Sequence, residues 1–189
     1  LASGASVNLS DIDNCTPLYV ACSSTCLEIV KALIASGAMI NKPNTENGQT
    51  PLYIAVVKGD IELVRTLLSA GADAVVNEAN YDGKTPILNA SFRGKAEMVE
   101  ALIEAGSDVN NYHCVEKLDF TPLHHASQQG HIDVVKVLIK NKANFLYKNR
   151  FGHSAVCMAR TSRIKQLFLN HPWYRRRPLI VVRPHADHE

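Results

Sequence analysis

Apolar residues recur at helical spacing in short blocks along the chain, most plainly in Leu27-Glu-Ile29-Val30-Lys-Ala-Leu33-Ile34 and in Ile132-Asp-Val134-Val135-Lys-Val-Leu138-Ile139. Polar residues fill the positions between, so each block predicts an amphipathic helix with one buried face and one wet face. Ahead of such blocks stand shorter ones that open on Thr16-Pro17-Leu18, Thr50-Pro51-Leu52, Thr85-Pro86-Ile87, Thr121-Pro122-Leu123 and a decayed Ser154-Ala155-Val156. Threonine before proline starts a helix well, because the hydroxyl can accept an orphan backbone N–H and proline tolerates the first helical position. First helices are therefore expected to begin at Pro17, Pro51, Pro86 and Pro122. Alanine follows at the same place in all five units, as Ala21, Ala55, Ala90, Ala126 and Ala159. A small residue there predicts helices that approach one another closely.

The five starts are separated by 34, 35, 36 and 33 residues. A second signature trails them, in Ser36-Gly37-Ala38, Ala70-Gly71-Ala72-Asp73 and Ala105-Gly106-Ser107-Asp108-Val109-Asn110, and Gly4-Ala5-Ser6-Val7-Asn8 matches it too. Its glycines fall where second helices end, a place that favours left-handed backbone. Lys142 replaces that glycine in the fourth unit, which predicts a strained or altered helix end. A period near 33 residues with this wording resembles the ankyrin repeat, over residues 1 to about 170. The resemblance implies an all-α fold, an ankyrin-repeat solenoid of stacked helix-turn-helix units with β-hairpin-like turns, stabilised by nearest-neighbour stacking.

The units are expected at 14–47, 48–82, 83–118 (with an extended turn) and 119–151, preceded by the tail of another repeat at 1–13. Residues 152–170 read as a shortened capping repeat, in which Ile164, Leu167 and Phe168 mark a second helix about three residues short. Residues 171–189 form a basic tail. With no methionine ahead of the opening repeat tail, the chain is expected to be a monomeric excerpt of a longer array.

Composition narrows the classes. No run of eighteen apolar residues occurs, so no helical membrane span is expected. Five cysteines, Cys15, Cys22, Cys26, Cys114 and Cys157, are an odd number without paired spacing, which favours a reducing, intracellular compartment, cytoplasmic with the nucleus also open. The net charge of +2 hides a polarity: residues 1–119 carry −7 and residues 120–189 carry +9. Opposite fields at the two ends can orient a partner that spans the stack.

Candidate chemistry competes with repeat architecture at each position. His124, His125 and His131 invite a metal reading. Adjacent helical histidines diverge, however, and the resemblance implies structural hydrogen bonding at His124 and a Gly-His turn at Gly130-His131. Cys22 and Cys26 lie four apart, but Cys22 follows Ala21 in the small-residue stretch and reads as a core thiol. No phosphate loop, His-Glu-x-x-His or Gly-x-Ser-x-Gly motif is present, so neither an enzyme nor a cofactor is expected.

The resemblance implies that partner contacts lie on a concave face built from first-helix ends and turn tips. Those positions hold Ser23 and Ser24, Val57 and Lys58, Phe92 and Arg93, and Gln128 and Gln129, with Glu46, Gln49, Tyr81, Lys84, Tyr112, Lys117, Phe120, Arg150 and Phe151 in the turns. Aromatic residues and arginine dominate binding hot spots. Only 12 of 189 residues are aromatic, yet five fall on this variable set. Phe120 and Phe151 read equally well as packing between turns. A three-residue excess between Asn110 and Thr121 lengthens one turn, by drift or for binding.

In the tail, Trp173, Tyr174 and Arg175–Arg177 permit capping, partner binding or phosphate contact, the last with steep salt dependence. Leu102, Asp108, Val109 and Asn110 are similar to the recognition wording of an asparaginyl hydroxylase that acts on ankyrin proteins, which makes Asn110 a modification candidate. The competing reading is an asparagine that bonds backbone in its turn. Together these features predict a non-catalytic module binding a protein or peptide, with nucleic acid disfavoured. The alternative is a regulatory or substrate-recruiting part of a larger enzyme, such as a ubiquitin ligase or kinase.

Overall fold

Every Thr-Pro step starts a helix at its proline. The computed structural model describes residues 5–112 and 119–172; Cys114, Lys117 and the tail from Trp173 onward lie outside the described residues. Helices come in pairs: α1 (Pro17–Ser23) with α2 (Leu27–Ala35), α3 (Pro51–Lys58) with α4 (Ile61–Ser69), α5 (Pro86–Phe92) with α6 (Ala96–Glu104), and α7 (Pro122–Gln129) with α8 (Ile132–Lys140). Helix α9 (Ser162–Asn170) closes the array. The hydroxyls of Thr16 and Thr50 accept the N–H groups of Tyr19 and Tyr53, each at 3.1 Å, and Thr121 forms a reciprocal capping box with His124. Thr85 departs from this expectation: it makes no side-chain cap, and its hydroxyl is buried without a partner.

First helices stack in one row, α1 on α3 on α5 on α7, and second helices in another, α2 on α4 on α6 on α8 on α9. The alanines sit between rows, with Ala55, Ala90 and Ala126 fully buried and Ala21 and Ala159 nearly so. Leu18, Leu52, Ile87 and Leu123 are fully buried beside them. In the last unit Ala155 takes the buried place and Val156 is only half-buried.

The last unit is shortened in a different element from the one expected. Helix α9 spans nine residues, as α2, α4, α6 and α8 do, so its second helix has lost nothing. Residues 155–158 form turns where a first helix would stand. Without Thr-Pro the chain lacks the capping hydroxyl and the preset proline that start the other first helices. Ile164 and Phe168 must still cover the end of the stack, and both are fully buried.

Turns interlock by side-chain hydrogen bonds. Asn8 accepts the Met39 N–H at 2.7 Å, Asn77 that of Asp108 at 2.9 Å, and Asn110 that of Asn144 at 2.7 Å. The rung fails at Asn41, whose Oδ1 is buried and unpaired next to a 3-10 turn, Ala72–Val75, in the following unit. Turn tips close as hairpins, with Asn44 N–H on Gln49 O at 3.0 Å and Asn80 N–H on Lys84 O at 3.1 Å. Successive tips are joined by Thr45 N–H on Asp13 O at 2.8 Å and Tyr81 N–H on Asn47 O at 2.9 Å.

Lys142 adopts φ +65°, so a lysine carries the left-handed conformation expected at that helix end. Thr25 does the same after α1, at φ +54°, where the corresponding residues of α3 and α7 are Gly59 and Gly130. A β-branched residue there is strained. Thr25→Gly is expected to stabilise the protein by about 1 kcal/mol, the strain relieved exceeding the added chain entropy. A thermal midpoint equal to or below wild type would contradict this.

Candidate partner-binding surface

Because first helices stack in register, their C-terminal ends form one row of side chains. Ser23 and Ser24 end α1, Val57 and Lys58 end α3, Phe92 and Arg93 end α5, and Gln128 and Gln129 end α7. Lys58, Phe92, Arg93 and Gln128 are exposed, whereas Val57 and Gln129 are half-buried. Phe92 leaves 49% of its surface open, yet its ring meets His125 edge-to-face at 5.7 Å. Its carbonyl is held by His131 Nε2 at 3.0 Å. The His131 ring lies over Gly94, so close that a Cβ there would sit 2.5 Å from Nδ1.

Lys84, Leu88, Asn89, Phe92, Arg93 and His125 line a cleft of about 280 Å³ between the third and fourth units. The structure thus gathers Lys84, Phe92 and Arg93 of the expected set and adds Leu88 and Asn89, which the sequence reading missed, and His125, which it weighed only as a metal ligand. Leu88 forms an apolar wall and is almost fully buried. Asn89 donates to the Tyr53 hydroxyl at 3.5 Å, while its Oδ1 is buried without a partner. His125 Nδ1 is likewise buried and unpartnered. Burial, with smaller contributions from His124 and Lys84, pushes the His125 pKa down to about 4, so the ring is neutral at physiological pH.

Other expected positions lie outside the lining of this cleft. Tyr81 is 70% exposed, but its ring rests against Gly48 of the preceding turn. Tyr112 stacks on Tyr147 at 5.3 Å. Phe120 is half-buried, stacked on His124 at 5.7 Å and edge-on to His125 at 5.3 Å, so it packs between turns and supports the cleft from behind. Phe151 is exposed beside His153. Glu46 and Arg150 are exposed, and Arg150 lies 3.7 Å from Asp119. Gln49 accepts the Tyr19 hydroxyl at 3.1 Å.

Structural roles account for the residues with metal-ligand character. His124 is buried with Nδ1 2.8 Å from the Thr121 hydroxyl and Nε2 3.1 Å from the His153 carbonyl, which occupies both ring nitrogens. Cys22 is fully buried, and burial pushes its thiol up to about 12, as suits a core side chain. Asn110 is held between the Asp108 carboxylate, which accepts its N–H at 2.8 Å, and the Asn144 backbone. Among the described residues no helix is long and apolar enough to cross a membrane.

Stacked helix pairs joined by hairpin turns define a repeat solenoid. The family model "Ankyrin repeats (3 copies)" matches residues 1–78 and 74–149, and the chain belongs to the ankyrin repeat family. Repeats of this family are generally protein–protein interaction modules and typically non-catalytic. Over 33 residues the chain is 54% identical to the Homo sapiens protein "Ankyrin repeat and SAM domain-containing protein 1A", a match covering 18% of this chain and 3% of that protein.

Proposed function

We propose that the chain is a non-catalytic recognition module that holds a protein or peptide against the row of first-helix ends and turn tips. The observation that carries this reading is the open Phe92–Arg93 pair on the cleft, an aromatic and an arginine on a helix whose end is pinned by His131. Preorganisation supplies the mechanism: side chains fixed before docking lose less entropy when the partner arrives. Lys58, Tyr81, Lys84, Tyr112, Gln128 and Gln129 extend the contact area, and Val57 and Phe120 back it. The free thiols of Cys15, Cys22, Cys26 and Cys157 support an intracellular setting. Modification of Asn110 would require its turn to open, because the bond to Asn144 closes it.

Replacing Phe92 and Arg93 together by alanine is expected to weaken capture of partner proteins by about 2 kcal/mol or more, the range of a binding hot spot. Both residues are exposed, so the fold should change by under about 0.5 kcal/mol. Parallel pull-downs with wild-type and doubly substituted protein, followed by circular dichroism of both, read the two effects separately. Undiminished recovery of every partner from the substituted protein would move the site elsewhere.

A further inference from the structure

Basic side chains are concentrated on one part of an otherwise acidic surface. Residues 1–119 carry a net −7, yet Lys84 and Arg93 both line the cleft, with Lys58 at the end of α3 and Lys95 just past the end of α5. The Lys95 chain reaches back across the unit boundary, its Cε 3.5 Å from where a Cβ would stand on Gly59, next to Lys58. Asp82 approaches Lys84 at 3.8 Å and partly neutralises it. Asp60 is occupied as the cap of α4, where it accepts the Leu63 N–H at 3.1 Å. Among the described residues Arg93 and Lys95 form no salt bridge. The cleft therefore offers one cation without a salt-bridge partner, Arg93, together with an apolar wall from Leu88 and Phe92 and the buried unpaired acceptor Asn89 Oδ1.

We infer that this cleft seats an aspartate or glutamate side chain from an extended acidic segment of a partner protein, with the carboxylate at Arg93 and a peptide N–H donated to Asn89 Oδ1. The inference rests on the recognition reading above and names the chemistry that the same face selects. A planar carboxylate suits the guanidinium fork of Arg93. A peptide backbone brings the donor that the buried Asn89 oxygen lacks, and leaving such an oxygen unsatisfied is costly. Neutral His125 adds no charge, so the cleft keeps one strong cation for one carboxylate. A dianionic phosphate fits less well, because Asp82, 3.8 Å from Lys84, leaves Arg93 as the single unpaired cation among the lining residues to balance two negative charges.

Oriented libraries of short peptides test this, with a fixed central Glu, Gln, Lys or phosphoserine and degenerate flanks, selected on the immobilised chain. The Glu library should be retained about tenfold over the Gln and Lys libraries, the size of one well-placed charged contact. Its peptides should shift the backbone amide resonances of Asn89, Arg93 and His125. Arg93→Gln, at an exposed position, should bring the Glu-to-Gln ratio towards one. The double reversal Lys84→Glu with Arg93→Glu should transfer preference to the Lys library. Lys31→Glu on α2 should leave selection unchanged. Equal retention of Glu and Gln, preference for phosphoserine, no retention of any library, or a Glu preference that survives both Arg93 variants overturns the inference. Peptides retained without Glu preference that shift Tyr81 and Gln128 would overturn it while leaving the recognition reading intact.

Discussion

Enlarging Ala90 to leucine should destabilise the protein by about 1 to 3 kcal/mol, the range for extra methylenes forced into a filled core. Ala90 is fully buried on α5, which stacks on α3 and α7 and also packs on α6. An isopropyl group there must push a whole unit outward. Contacts in this array run from unit to neighbouring unit, so the disturbance should fade along it. Amide hydrogen exchange should therefore rise in α3 to α8 and much less in α1 and α9. A denaturation midpoint equal to wild type would contradict the stacking register.

Gly94→Ala is expected to cost about 2 to 4 kcal/mol, from two sources that add. Gly94 has φ +75°, and a left-handed residue with a Cβ is penalised by about 1 to 2 kcal/mol. The new methyl also meets the His131 ring at 2.5 Å and must displace it, breaking the 3.0 Å bond to the Phe92 carbonyl. That bond joins the fourth unit to the end of α5, so stability and partner affinity should fall together. Urea denaturation and a binding titration on the same sample measure both. A Gly94→Ala protein with wild-type stability would mean that His131 does not pin this helix end.

The sequence made the repeat legible because the features that build it are local. Threonine before proline, alanine five residues after each threonine, and glycine after the second helix report capping, close approach and left-handed backbone one position at a time. The misread cap shows where this stops. Ile164, Leu167 and Phe168 in the last unit looked like a remnant, but whether a helix forms depends on what it covers, and α8 gives Ile164 and Phe168 a surface to bury against.

The cleft was half legible for the same reason. Lys84, Phe92 and Arg93 stand at positions that the repeat leaves free, so pattern alone singled them out. Asn89 and His125 stand on helix faces that look structural in sequence. Only stacking α5 on α7 brings the Asn89 oxygen and the His125 ring into one cleft and leaves them without partners. Phe120 reads equally well in the sequence as a contact residue or as packing between turns, and its stacking on His124 decides for packing.

The most direct test of recognition on the first-helix face places a photo-crosslinking amino acid at Phe92 or Gln128, and in separate proteins at Glu62 or Asp133 on the exposed faces of α4 and α8. Partner adducts confined to positions 92 and 128, with background yield at 62 and 133, are the expected result. Equal or greater yield from the second-helix positions would contradict the assignment of this face.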